Sequence, residues 1–243
     1  MAASRSRSAA VTRHLLFLPG LLEDADGFKP LIDALSAQVT CSVADLTRSD
    51  TIAAMARDAL AQAPERFSLA GHSMGGYVAL EVMRQAPGRV ERLALMQTNA
   101  RPDSAEATEN RRRLVALAQR DFPAVINAQM QRLLTPAHLA EVGMTGTIES
   151  MALAVGKEAF ARQQEAIIHR IDSRPFLRDI RCPTLVVAGR DDQLMPVEVL
   201  KELADGIPGA RLTVIEECGH MAAMEQPDKV LAAFLDWLER RTT

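Results

Sequence analysis

The chain is 243 residues long, enough for one large domain with room for an inserted subdomain. Hydrophobic residues make up 48% and charged residues 24%, and the net charge of −3 with only 4% aromatic residues excludes the basic stripe and stacking platform of a nucleic-acid binder. The cysteines Cys41, Cys182 and Cys218 are odd in number and scattered, which argues against a disulfide framework or zinc knuckle and for a reducing cytoplasm.

Residues 1–13 are rich in Ser, Arg and Ala, lack an apolar core, and read as a disordered tail. The "LLFLPGLL" that follows is too short for a signal core, and no window approaches the apolar length of a membrane span. From His14 onward, short apolar runs alternate with longer amphipathic segments, the pattern of a parallel sheet with crossover helices. Strands are predicted over His14–Leu18, Val39–Ala44, Phe67–Ala70, Val90–Met96, Thr184–Ala188 and Arg211–Ile215. Helices are predicted over Phe28–Ala37, Ile52–Ala63, Gly76–Ala86, Val197–Ala204 and Lys229–Arg240, with Asp50 or Thr51 capping the second and Pro227-Asp228 opening the last.

The rhythm breaks over residues 100–173, where no strand is evident. Leu114 and Leu117, then Met130, Leu133 and Leu134, then Ile148, Met151 and Val155 read as faces of short helices. Pro123, Pro136 and the "EVGMTG" of 141–146 are expected to supply the breaks. The division is therefore a core of 14–99 and 174–243 carrying a helical cap or lid at 100–173.

Chemistry concentrates at three strand ends. Gly71-His72-Ser73-Met74-Gly75 matches the Gly-x-Ser-x-Gly nucleophile elbow, in which a serine on a sharp strand-to-helix turn lifts its hydroxyl above the sheet. Side chains two positions before and after would collide in that turn, and both are glycine. A serine hydroxyl needs a base within hydrogen-bond reach, oriented by an acid. "TLVVAGRDDQLMP" offers Asp191 and Asp192 just past a strand, and "RLTVIEECGHM" offers His220 just past the next, where ligands sit in open α/β sheets. Of the five histidines only His220 fits that place and order, and His72 is expected to point away from Ser73, beneath the elbow. No metal-ligand spacing is present.

Together "LLFLPGLLEDADGF", "LAGHSMGGYVALEVM", "PTLVVAGRDDQLMP" and "VIEECGHMAAMEQPDKV" resemble the α/β-hydrolase family over essentially residues 14–240, and look closest to small capped esterase- or lactonase-like members. The resemblance implies a mostly parallel sheet of about six strands, shortened at its first edge, with helices on both faces. It implies that Asp192 rather than Asp191 is the acid, since Gly189, Asp192 and Pro196 fit the family's spacing. The alternative acid position, after the preceding strand, carries only Gln97 and Asn99. It implies an oxyanion hole from the backbone N–H of Met74 and of Leu21, where this chain has Pro19-Gly20-Leu21 in place of the family's frequent His-Gly-x. No cofactor is implied.

The mechanism expected is acyl transfer by Ser73, His220 and Asp192, with activity falling as pH drops through the ordinary histidine range of about 6 to 7. Leu22, Met195, Met221 and Met224 flank these loops and could form an adaptable apolar wall for a small to medium ester. Lactone, thioester or carbon–carbon bond hydrolysis would use the same residues, and a non-catalytic small-molecule receptor could use the same fold. The partner expected is a small ester-type substrate, not nucleic acid or membrane.

Overall fold

A computed structural model describes residues 14–240 of the chain, so the tail expected over 1–13 lies outside the described residues. The first strand, β1 (His14–Leu18), sets the pattern. Its alternate side chains face opposite ways: Leu15 and Phe17 pack with Phe28, Leu31 and Trp237, whereas Leu16 and Leu18 pack with Met55 and Val78. A strand covered on both faces reads as a continuous apolar run for this reason.

The helix expected over 28–37 is shorter and differently begun. A 3-10 turn spans Ala25–Phe28, opened by Asp24, whose carboxylate accepts the Asp26 N–H at 2.9 Å. Only then does α1 (Lys29–Leu35) start, because Pro30 fits a helix only within its first turn. β2 (Thr40–Val43) follows, then α2 (Ile52–Gln62), with the Thr51 hydroxyl accepting the Ala54 N–H at 3.2 Å. β3 (Phe67–His72), α3 (Met74–Gln85) and β4 (Val90–Met96) come next.

Four helices then intervene: α4 (Ala105–Ala118), α5 (Phe122–Leu133), α6 (Pro136–Leu139) and α7 (Val142–Ile168). The break expected over 141–146 falls at its first residue: Glu141 is extended between α6 and α7, while residues 142–146, glycines included, begin α7. A further interruption comes at Gly156, whose φ of 81° is a left-handed conformation open to glycine and unfavourable for most other residues. Asp103 and Arg170 clasp the two ends of the insertion: the buried Asp103 carboxylate accepts from Arg170 Nη1 at 2.6 Å and from Arg111 Nε at 3.3 Å. Of the arginine run 111–113, Arg111 is thus turned inward, while Arg112 and Arg113 are exposed.

The chain closes with β5 (Thr184–Gly189), α8 (Val197–Gly206), β6 (Arg211–Ile215), α9 (Ala222–Glu225) and α10 (Pro227–Glu239). All six strands are parallel, in the order β2-β1-β3-β4-β5-β6. The chain runs outward from β1 to β2, then returns past β1 to β3. That reversal opens a crevice at the carboxyl ends of β1 and β3, the usual ligand position in such sheets. The insertion packs over this end: Leu22 and Met221, from the core loops, share a buried cluster with Val125, Met130, Met151 and Phe160.

Candidate active site

Ser73 joins β3 to α3 with φ 51° and ψ −114°, a conformation that costs about 1 to 3 kcal/mol in a non-glycine residue. The surrounding backbone holds it there. Ser73 N–H donates to the Met96 carbonyl at 2.9 Å, and its own carbonyl accepts the Thr98 hydroxyl at 2.8 Å. The turn is so tight that a Cβ on Gly75 would strike the Leu18 carbonyl, and one on Gly71 would strike the Gly75 carbonyl. Ser73 is half-buried, and among the described residues its hydroxyl makes no hydrogen bond.

Asp192 is buried in the loop after β5, whereas its neighbour Asp191 is exposed. One carboxylate oxygen accepts the Leu194 and Met195 N–H groups at 2.8 and 3.0 Å. The other lies 2.8 Å from His220 Nδ1. A carboxylate that is already accepting can only accept again, so Nδ1 carries the proton and Nε2 is left as the free base. Burial works against the Asp192 charge, but the His220 ring and its hydrogen bond, with the two backbone donors, hold the carboxyl below its ordinary range. His220 is itself buried, its N–H donating to the Leu133 carbonyl of α5 at 2.7 Å. The other histidines sit elsewhere: His14 against Ser42, His138 against Glu225, His169 against Glu165, and His72 under the elbow.

In the loop after β1, the Gly20 N–H is taken by Glu23 at 2.5 Å and the Leu22 N–H by Gln163 Oε1 of α7 at 3.1 Å. Between them, among the described residues, the Leu21 N–H has no partner. Met74 is the first residue of α3, where the N–H has no acceptor within its own helix. These two N–H groups are the ones the family resemblance implies for an oxyanion hole. Of the four residues expected to flank the site, Leu22, Met221 and Met224 lie in the cluster shared with the insertion. Met195 is half-buried and packs instead against the cluster that holds Met74, with Leu21 against the same cluster, and its sulfur accepts from Asn99 Nδ2 at 3.3 Å. Among the described residues no cluster of His, Cys, Asp and Glu could hold a metal ion, and no helix is long and apolar enough to cross a membrane.

The sequence pattern of the alpha/beta hydrolase family matches residues 15–233. The chain belongs to that family. RutD of Azorhizobium caulinodans, named a candidate carbamate hydrolase, is 30% identical over 232 residues, covering 88% of this chain and 86% of its own. A thermophilic esterase from Thermogutta terrifontis superposes with a TM-score of 0.86 at 31% identity, covering 95% of this chain and 91% of its own. An enol-lactonase from Burkholderia xenovorans LB400 gives 0.86 at 25% identity, covering 94% and 92%. With such relatives, the protein is a hydrolase.

Two buried acids of this α/β hydrolase went unmarked in the sequence. Glu225 accepts the Gly219 and Met221 N–H groups with Oε1, at 3.0 and 3.1 Å, gripping the loop on both sides of His220. Its Oε2 accepts from Thr135 N–H at 3.0 Å and His138 Nδ1 at 2.8 Å, so the same carboxylate holds the insertion. Glu23 bonds Gly20 and, at 2.7 Å, His72 Nδ1. The available signal was weak: Glu23 stands three residues after Gly20 and Glu225 five after His220, each closing a short apolar run.

Proposed function

We propose that this hydrolase cleaves small to medium carboxylic esters through a Ser73–His220–Asp192 triad and an acyl-enzyme. The observation that carries the proposal is the 2.8 Å Asp192–His220 bond, with both residues on loops at the strand ends beside a serine held at φ 51°. His220 Nε2 takes the Ser73 proton as the hydroxyl attacks the ester carbonyl, and the two come within hydrogen-bond reach as substrate seats. Asp192 keeps the tautomer and stabilises the imidazolium. The Leu21 and Met74 N–H groups bind the oxyanion that develops in the tetrahedral intermediate. His220 then protonates the leaving alcohol, and water repeats the sequence on the acyl-enzyme. Every step uses side chains and backbone alone, so no cofactor is needed.

Residues 100–173 act as a cap over this centre. The wall they form with Leu22 and Met221 is apolar, which favours an uncharged acyl group. The likeness to an esterase and an enol-lactonase supports oxygen-ester chemistry, a lactone being a cyclic ester. The test is a panel of short p-nitrophenyl esters, lactones and thioesters with Ser73→Ala as control. Ester turnover that vanishes in the variant is expected; turnover that survives in Ser73→Ala, or tight ligand binding with no turnover at all, would contradict the proposal.

A further inference from the structure

His72 precedes the nucleophile, is 4% exposed, and lies at the meeting point of three loops that the proposed mechanism needs. Its Nδ1 is 2.7 Å from Glu23 Oε2, and its Nε2 is 2.8 Å from the carbonyl oxygen of His220. A carbonyl oxygen can only accept, so Nε2 carries a proton. The Glu23 oxygen facing Nδ1 also accepts the Gly20 N–H, so it serves as an acceptor toward two donors at once. With acceptors at both ends, the ring is filled only by its doubly protonated form.

We propose that His72 is a buried imidazolium, ion-paired to Glu23, and that this pair is the positioning device that fixes the oxyanion loop, the nucleophile elbow and the His220 loop relative to one another. Glu23 carries the Gly20 end of the oxyanion loop. The His72 backbone carries the elbow, and its Nε2–H carries the His220 backbone. The loops are tightly packed here: a Cβ on Gly20 would lie 3.1 Å from His72 Nδ1 and 3.3 Å from Ser73 Cβ. This role rests on the serine-hydrolase proposal; the protonation state does not.

The groups facing His72 are Glu23 from the loop after β1, the His220 ring with centroids 5.0 Å apart, the Asp192 charge behind that ring, and the uncharged edge of Phe28 at 6.3 Å. Burial alone would push the His72 pKa down, but the Glu23 charge and hydrogen bond, the His220 carbonyl and the Asp192 charge outweigh it and raise it. A raised folded value means that the stability His72 contributes is complete below the ordinary histidine value of 6.5 and is lost as pH rises through the folded value.

Glu23→Gln separates this from simple packing. The new amide would donate to Nδ1, leaving a neutral ring that still serves the His220 carbonyl but an unpartnered Gly20 N–H. The experiment is ¹⁵N spectroscopy of the histidine rings at pH 7, with His72 assigned through its contact with Phe28, alongside the rate constant for Ser73 phosphonylation by a fluorophosphonate. The expected result is two protonated nitrogens in wild type, loss of the Nδ1 proton in Glu23→Gln, and labelling slowed about tenfold to a hundredfold, as for a small displacement of reacting groups. An unprotonated His72 nitrogen in the wild-type chain would overturn the imidazolium. A Glu23→Gln chain labelled at the wild-type rate would overturn the positioning role. A wild-type chain with the doubly protonated ring but no labelling at Ser73 would sink the serine-hydrolase proposal and the positioning role with it, while upholding the imidazolium.

Discussion

Asp192→Asn is the substitution whose consequence the geometry defines best. The two oxygens of Asp192 have different partners: Oδ1 accepts two backbone N–H groups, and Oδ2 faces His220 Nδ1. An asparagine must keep its carbonyl toward the Leu194 and Met195 donors, since an NH₂ there would oppose both. Its NH₂ then occupies the Oδ2 position and donates to Nδ1. The imidazole answers by carrying its proton on Nε2, and a protonated Nε2 cannot accept from Ser73. The shape of the site hardly changes, so KM should be nearly constant while kcat falls about 10⁴-fold, or about 5.4 kcal/mol of transition-state stabilisation. Steady-state kinetics on a p-nitrophenyl ester, with the melting temperature as a folding control, reads the effect. A folded variant that keeps kcat within about tenfold of wild type would refute the assignment of Asp192 as the residue that sets the tautomer.

Acid stability should report the same carboxylate. Because the Asp192 pKa is held below its ordinary value, its contribution is present above about pH 4 and is lost as pH falls through the folded value, so the acid limb of urea stability should flatten in Asp192→Asn. Gly75→Ala should destabilise the fold by about 1 to 3 kcal/mol or more, measured by urea unfolding, because its new methyl meets the rigid Leu18 carbonyl. Glu225→Gln retains one acceptor oxygen but turns an NH₂ toward two of four donors; a loss of about 1 to 3 kcal/mol in urea and a lower kcat are expected, whichever way the amide settles.

The parallel six-stranded sheet was legible because each buried strand is a short apolar run and each crossover helix has a periodic face. The elbow was legible because its sterics are local: two glycines four residues apart are required by contacts within the turn and with β1. Asp192 and His220 could be picked out because each follows a strand's terminal segment. What the sequence concealed is held by distant partners. Glu23 meets His72 across 49 residues, Glu225 meets Thr135 across 90, and Gln163 meets Leu22 across 141. No local pattern encodes such pairs. The glycines at 143 and 146 misled for the opposite reason: a glycine breaks a helix only if the backbone uses its freedom, and there Met144 and Ile148 pack the helix onto the insertion's own cluster. Gly156, in a less conspicuous setting, is the one that takes a left-handed φ.

The central claim is that Ser73 is a nucleophile, and stoichiometric labelling by a fluorophosphonate, located by mass spectrometry, tests it most directly. The account predicts one equivalent incorporated at Ser73 and none in Ser73→Ala. Labelling at another residue, or no labelling at all, would contradict it.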